Sequence, residues 1–331
     1  MTKRPVVLVD GKNLLYRAHF AHKDLRTSKG VPTSVLFGFP EMILDIGKFS
    51  ATADIVICWE GKIDKDGTEQ KESNWRKTMA DFYKGNRVPN PEMKIAYDQV
   101  PELLRFLRIL GYCQISVPGL EADDLLGVVG RTLARQEDVA SVILYSGDRD
   151  LYQVVGRGNV VLLYPSKKEG PKLMDAEDIE KETGVSPIDW PKFKALAGDT
   201  SDNIKAIPGC AAKTAMVYLK GGVDPSVADF RSLPAAVRKR YPFLEQHWAK
   251  IHLCYILCYI PKKPTYRYYP QESRDCLATT IELVSSPARR REYSQTRLDK
   301  KVKRFINFCD EYELAHFISE RRRFFPNTLV K

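Results

Sequence analysis

The chain has 331 residues, of which 44% are hydrophobic and 28% charged, proportions typical of a globular protein with a large core. It contains no apolar run long enough to cross a membrane and no signal-peptide layout at its N-terminus, so we expect a cytoplasmic protein. The formal net charge of +10 indicates a polyanionic partner, and residues 287–331 hold twelve Lys or Arg against six Asp or Glu.

Short apolar runs alternate with helix-like stretches through the first half of the chain. The runs cover residues 5–10, 54–60, 113–117, 141–148 and 160–164, and the helical patterns cover 34–47, 100–110 and 122–135. This alternation predicts an α/β fold built on a doubly wound, mostly parallel sheet. Beyond about residue 175 the pattern becomes mainly helical, and apolar residues follow helical spacing for the last time over 298–318.

These changes of pattern predict three parts. An α/β domain covers 1–180 and includes a polar excursion over 62–97, in which basic and aromatic residues alternate. A helical region covers 181–285, and a basic helical extension covers 286–331, with a linker-like stretch at 287–291.

The seven cysteines are scattered, which argues against a disulfide framework or a zinc site. Cys254 and Cys258 lie four residues apart in an apolar run. We therefore predict that they are core residues of a buried helix and not metal ligands.

Carboxylates recur where strands and helices meet. Asp10, Glu60 and Asp148 each end a predicted strand, and ligands of parallel sheets bind at that edge. An Asp at a strand end is often only a turn or cap residue, but here several acids recur together. Such a cluster is stable only if cations neutralise it, and hard oxygen ligands suit Mg²⁺ or Mn²⁺. The predicted metal ligands are Asp10, Glu60, Glu121, Asp123, Asp124, Asp148, Asp150, Asp199 and Asp202.

Several short blocks together resemble the 5′–3′ exonuclease and flap endonuclease family over residues 5–260. They are VDGKNLLYRA at 9–18, SKGVPT at 28–33 with FGF at 37–39, YKGNR at 83–87, GLEADD at 119–124, SGDRDL at 146–151 and GDTSDNI at 198–204. The resemblance implies a PIN-like or resolvase-like sheet, an arch formed by 62–97, and a helix–hairpin–helix-type element over 189–220.

The resemblance also implies roles for individual residues. Asp10, Glu60, Glu121, Asp123 and Asp124 would surround a first metal ion, and Asp148, Asp150, Asp199 and Asp202 a second. Lys84 and Arg87 of the arch would act at the scissile phosphate, with Asp10 and Asp148 as catalytic metal ligands. The implied DNA contacts are Arg76, Tyr83, Lys84, Arg87, Lys205, Gly209, Lys213 and Thr214. Trp75 and Tyr83 would stack on unpaired bases or, alternatively, pack within the arch.

The activity implied is hydrolysis of DNA near 5′ ends, as a 5′–3′ exonuclease and flap endonuclease in replication or repair, with RNA primer removal as a further task. The cofactors would be two Mg²⁺ ions, replaceable by Mn²⁺, and K⁺ at the hairpin. A monomer would bind DNA with 5′ flaps or 5′ ends, or an RNA–DNA hybrid. The chain is too short to include a polymerase, so we expect a freestanding enzyme of the phage type, in a phage or bacterial host cytoplasm.

Two positions depart from the family pattern. Glu60 stands where the family usually has Asp, and Ala211 stands where the hairpin usually has a second Gly. Because Ala adopts positive φ at a cost, we expect weaker phosphate or K⁺ binding at this hairpin.

Two other functions remain open. A PIN-like RNA nuclease would share the acidic sheet but would lack the hairpin at 198–214 and the arch. A non-catalytic protein that binds branched DNA would not need the complete set of acids.

Overall fold

The computed structural model describes residues 3–48, 53–63, 69–70, 74–156, 158–166, 170–286 and 298–325. The predicted linker at 287–291 and parts of the predicted arch, 64–68 and 71–73, lie outside the described residues. No helix within these ranges is both long enough and apolar enough to span a membrane.

The predicted doubly wound, mostly parallel sheet is confirmed. Its strands lie in the order β5-β2-β1-β6-β7-β8, and only β8 runs antiparallel to its neighbour. A separate two-stranded ribbon, β3 with β4, belongs to the excursion after β2. The strands are β1 (Arg4–Asp10), β2 (Asp54–Trp59), β3 (Lys62–Ile63), β4 (Glu69–Gln70), β5 (Cys113–Ser116), β6 (Val139–Tyr145), β7 (Val160–Ser166) and β8 (Gly170–Met174).

The three helices predicted in the first half are present, and each begins at the predicted residue. The helices of the α/β part are α1 (Gly11–Ala21), α2 (Ser34–Lys48), α3 (Trp75–Met79), α4 (Pro91–Asp98), α5 (Val100–Leu110), α6 (Ala122–Leu133) and α7 (Ala176–Thr183). Those that follow are α8 (Trp190–Ala197), α9 (Ala212–Lys220), α10 (Ala235–Arg240), α11 (Trp248–Cys258), α12 (Gln271–Ser285), α13 (Leu298–Glu311) and α14 (Ala315–Ser319).

Both faces of the sheet are buried, which explains why its strands are continuously apolar. On β1, Val6 and Leu8 point into one core with α6 and α12, whereas Val7 and Val9 point into a second core with α1, α2 and α5. Because β1 pairs in parallel with both β2 and β6, the carboxyl ends of these strands meet at one edge of the sheet, where the predicted strand-end acids lie.

The C-terminal helices extend the second core. Phe308 of α13 stacks on Phe106 of α5 with ring centroids 4.3 Å apart, and Phe317 of α14 is also fully buried there. The described part of the basic extension therefore packs against the sheet domain. The division into three parts stays a prediction, because α12 of the predicted helical region packs in the first core as well.

The helical region has its own small core around α8, α9, α10 and α11. Cys254 and Cys258 are buried on α11, as predicted, and all seven cysteines are free thiols.

Candidate active site

The ends of β1 and β6 are joined by side-chain hydrogen bonds. Asp10 caps α1 by accepting from the backbone N–H of Asn13 (2.9 Å), and its other oxygen accepts from the Ser146 hydroxyl (2.8 Å). Ser146 also accepts from the backbone N–H of Asp148 (3.0 Å). These contacts fix the Asp10 and Asp148 carboxylates at the same edge of the sheet.

The N-terminus of α6 adds three acids with different environments. Glu121 is the N-cap residue, and Asp124 completes a capping box with it. Asp123 is partly exposed, and the pKa of its carboxyl is raised well above the usual value by burial and by the nearby Asp148 and Asp10 carboxylates. Asp123 therefore lies with the strand-end acids in one negatively charged group.

Asp124 does not join that group. It is fully buried, and its two oxygens accept from Arg76 Nη1 and Nη2, both at 2.9 Å, while Trp75 Nε1 donates to it at 3.1 Å. Both oxygens of Asp124 are engaged in this buried ion pair, and its predicted role as a metal ligand stays a prediction. Such a pair is destabilising to break, which gives Asp124 a structural role.

Three predicted nucleic-acid contacts are also buried. Arg76 is 2% exposed, and its guanidinium additionally donates to Glu121 (2.9 Å) and to the backbone carbonyls of Leu257 and Tyr259. Trp75 and Tyr83 are 1% and 2% exposed. The structure therefore corrects the expectation that these side chains bind DNA or unpaired bases. Trp75 and Tyr83 are packed, as the alternative expected, but against partners outside the arch as well as within it.

Tyr83 and Lys84 connect the two halves of the site. The Tyr83 hydroxyl lies 3.0 Å from Glu121 and 3.1 Å from Asp202, and Lys84 forms an ion pair with Glu121 and lies 3.8 Å from Asp202. Lys84 has a φ of +54°, which is unfavourable for a residue with a Cβ, and its backbone N–H donates to the Asp202 carbonyl (3.0 Å). The backbone strain is tolerated where it places the Lys84 ammonium among carboxylates.

The charges around Lys84 stabilise one another, because each shifts the pKa of its neighbour towards the charged form. Burial alone would lower the pKa of Lys84, but Glu121 and Asp202 outweigh it, so this pKa is raised. Burial would likewise raise the pKa of Glu121, but Lys84 and Arg76 outweigh it, so that carboxyl is an anion with a lowered pKa. Arg87, half-exposed, forms a 3.1 Å ion pair with Asp202.

A second group of acids contains the most compact candidate metal site in the described residues. Oxygens of Asp150, Asp199 and Asp202 all lie within 4.8 Å of one another. Lys194 of α8 forms ion pairs with both Asp150 and Asp199. Burial still raises the pKa of Asp150 to about 6, so one lysine does not neutralise this group.

Glu60 lies just beyond β2, at the same edge. It forms an ion pair with Lys12 of α1, and its side chain is about one-third exposed. Glu60 is thus less enclosed than Asp10, which is 6% exposed.

The hairpin between α8 and α9 has the predicted form. Gly198 has a φ of +80°, and a Cβ there would lie 2.5 Å from the backbone nitrogen of Ala206, so glycine is required. Gly209 has a φ of +74° with open space beside it. Ala211 has a φ of −75°, so the absence of a second glycine causes no strain. Lys205, Gly209 and Lys213 are exposed, and Thr214 is partly exposed.

Residues 5–184 match the family model described as "5'-3' exonuclease, N-terminal resolvase-like domain". That match covers more than half of the chain. The chain belongs to the 5′–3′ exonuclease family.

The similar proteins include DNA polymerases I and shorter 5'-3' exonucleases. The chain is 32% identical over 251 residues to a thermostable DNA polymerase I of Thermus filiformis, with 75% of this chain and 27% of that protein covered. It is 31% identical over 218 residues to a 5'-3' exonuclease of Aquifex aeolicus, with 66% of this chain and 69% of that protein covered. The chain thus spans about a quarter of the length of the DNA polymerases that it matches.

The fold is also that of a solved phage enzyme. A structure of the bacteriophage T5 5'-exonuclease with divalent metal ions (zinc) bound has a TM-score of 0.63 and 19% identity, covering 86% of this chain and all of the phage chain. A complex of the T5 flap endonuclease with DNA and metal ions has a TM-score of 0.64 and 19% identity, covering 85% and 99%.

The charges of this family member's site do not balance. Nine carboxylates face five cations among the described residues, and with every group counted as ionised the formal excess is four negative charges, with or without the Asp124–Arg76 pair. Two divalent cations would supply the missing charge. The carboxylates are Asp10, Glu60, Glu121, Asp123, Asp124, Asp148, Asp150, Asp199 and Asp202, and the cations are Lys12, Arg76, Lys84, Arg87 and Lys194.

Sequence reasoning missed two residues of the site. Lys194 lies five residues before Asp199, next to the similar Lys192, and the sequence alone does not show which lysine faces the acids. Ser146 opens the SGD block, but only the structure shows that its hydroxyl links Asp10 to the Asp148 backbone.

Proposed function

We propose that this chain is a structure-specific 5′ nuclease that hydrolyses DNA phosphodiester bonds with two Mg²⁺ ions. The observation that carries the proposal is the excess of four negative charges at one edge of the sheet. A stable protein neutralises such an excess, and oxygen-only ligands favour Mg²⁺ or Mn²⁺ over softer metals.

The proposed ligands form two groups. Asp10, Glu121 and Asp123 would hold one ion, with Glu60 contributing through water, and Asp148, Asp150, Asp199 and Asp202 would hold the other. Paired ions of this kind activate a water for attack and stabilise the leaving oxygen. Asp124 is not included, because it is fully buried and both of its oxygens accept from Arg76, whereas Glu121 shares only one oxygen with Arg76.

The protein's own residues have separate tasks. Lys84, held by its backbone bond to Asp202, would donate to the scissile phosphate and offset the charge that grows in the transition state. Arg87 would contact a neighbouring phosphate. Lys194 would move away from Asp150 when the second ion binds.

Substrate contacts are proposed at the hairpin. The exposed loop around Gly209 would present backbone N–H groups to duplex phosphates, with Lys205, Lys213 and Thr214 beside it. Its carbonyls are the proposed K⁺ site. The proposed substrates are 5′ flaps and 5′ ends of DNA, including RNA paired to DNA, bound by a monomer.

The test is cleavage of a flapped duplex labelled at its 5′ end. We expect short labelled products in Mg²⁺, none in EDTA, and almost none from Asp148→Asn, which should still bind the DNA. Metal-independent products, or equal turnover by Asp148→Asn, would contradict the proposal. Preferential cleavage of matched single-stranded RNA would instead favour the RNA nuclease.

A further inference from the structure

The last turn of α11 and the segment that follows it are rich in tyrosine. Five of the chain's sixteen tyrosines lie within residues 255–269, together with three Lys or Arg and no Asp or Glu. Four of these rings, Tyr255, Tyr259, Tyr266 and Tyr268, are called here the tyrosine row. Interleaved basic and aromatic residues are typical of surfaces that bind single-stranded nucleic acid.

The rings of the tyrosine row follow one another in contact. Tyr255 stacks on Tyr259 with centroids 5.5 Å apart, Tyr259 lies 5.9 Å from Tyr266, and Tyr266 lies 5.4 Å from Tyr268. All four are partly exposed, unlike the neighbouring Tyr269, which is buried. The row is therefore a semi-exposed aromatic surface and not part of the closed core.

Basic groups border this surface. Lys263 and Arg267 are exposed, and the Arg267 guanidinium lies 4.7 Å from the centroid of the Tyr268 ring. Neither side chain forms an ion pair with a carboxylate of the described part of the chain. Both charges are thus available to phosphates.

The tyrosine row lies beside the base of the arch. The Tyr268 ring is parallel to that of Trp75, 6.5 Å away, and the Tyr259 carbonyl accepts from Arg76 Nη2 at 3.1 Å. Arg76 in turn contacts Glu121 of the acidic group. Arg76 therefore contacts both the backbone of the tyrosine row and the candidate active site.

We propose that the tyrosine row, with Lys263 and Arg267, binds the unpaired 5′ strand of the substrate outside the active site. Partly exposed rings can stack on unpaired bases, whereas the bases of a duplex are hidden from them, so the surface fits a single strand. This inference rests on the proposed nuclease function, because it assigns the position of that enzyme's substrate arm.

The test compares two flapped duplexes that share a junction but differ in the 5′ arm, one minimal and one long. For Lys263→Ala/Arg267→Ala and for Tyr268→Leu, we expect kcat/KM on the long arm to fall about tenfold, with little change on the minimal arm. Tyr268→Phe keeps the ring but loses the hydroxyl that accepts from Arg267 Nη2 at 2.8 Å, so it should restore most of the activity on the long arm that Tyr268→Leu loses. The charge-matched control is Arg108→Ala/Arg135→Ala, which removes two exposed arginines elsewhere.

Equal losses on both arms, or no loss on either, would overturn the proposal. If Tyr268→Leu unfolds, the two basic substitutions decide the question, because both side chains are on the surface. If wild-type protein cleaves neither substrate, the nuclease proposal fails. The tyrosine row is then tested by fluorescence anisotropy with a single-stranded DNA oligonucleotide, whose affinity should fall in the basic double variant and stay unchanged in the control.

Discussion

At the scale of single residues, Asp123 has the least compensated charge of the site. Burial and the neighbouring Asp148 and Asp10 raise its pKa, and no described cation forms an ion pair with it. In metal-free protein, keeping Asp123 ionised therefore costs free energy of folding.

We expect Asp123→Asn to raise the Tm of the metal-free protein at pH 8 by roughly 2 °C or more, and to abolish cleavage. The amide removes an uncompensated buried charge but is a poor metal ligand. Differential scanning fluorimetry in EDTA measures the change. As a control, Asp124→Asn should lower Tm, because it breaks the pair with Arg76. A lower Tm for Asp123→Asn would show that its charge is already compensated.

The same charges predict a dependence of stability on pH. The folded-state pKa of Asp150 is raised from 3.8 to about 6, so between these values the folded protein binds more protons than the unfolded chain. The contribution of Asp150 to metal-free stability should therefore decrease as pH rises from about 4 to about 6. Urea unfolding in EDTA across this range tests the sign, and added Mg²⁺ at pH 8 should restore stability.

Lys84 is the residue whose backbone geometry indicates function most directly. We expect Lys84→Ala to lower kcat by about 10² or more with a smaller effect on DNA affinity, because its charge acts on the transition state. Single-turnover cleavage and anisotropy separate the two quantities. Arg87→Ala, at a half-exposed partner of the same Asp202, should mainly weaken binding. A loss of affinity alone would make Lys84 an ordinary phosphate contact.

At the scale of elements, the hairpin between α8 and α9 is the proposed duplex contact. Lys213→Ala should weaken binding to duplex DNA more than to single strands. Lys213 is exposed at the start of α9, beside the proposed duplex contact, and it does not belong to the arch. Lys181→Ala, an exposed lysine on α7, is the control. Equal weakening for both DNA forms would remove the hairpin from the duplex interface.

The elements also show what the sequence could predict. The alternating apolar runs predicted the parallel strands correctly. They also predicted that Asp10, Glu60 and Asp148 meet at one edge of the sheet, because each ends a predicted strand and the carboxyl ends of parallel strands lie at the same edge. The burial of Trp75, Arg76 and Tyr83 was not predictable from the local pattern, since it depends on contacts with the start of α6 and the end of α11 and its following residue, 38 to 183 residues away in the chain. Ala211 was expected to weaken phosphate or K⁺ binding because alanine adopts a positive φ at a cost. The positive φ of this turn lies at Gly209 instead, and Ala211 has a φ of −75°.

In the whole molecule, nine of the 42 acidic residues of a basic protein gather around one edge of one sheet and the neighbouring hairpin. The net charge of +10 would attract a polyanion such as the proposed DNA substrate, while the local excess of negative charge would repel phosphate unless metal ions bind there. The proposed two-metal function therefore depends on the number of bound metal ions more than on any single residue.

Titration of the metal-free protein with Mn²⁺, followed by electron paramagnetic resonance of the free ion, measures that stoichiometry directly. We expect two ions per chain, and one for Asp150→Asn/Asp202→Asn, in which the ligands of the second group are impaired while Asp10 and Asp123 are intact. Arg108→Ala/Arg135→Ala should still bind two. A single ion in the wild-type protein, or two in the Asp150→Asn/Asp202→Asn variant, would contradict the two-metal site.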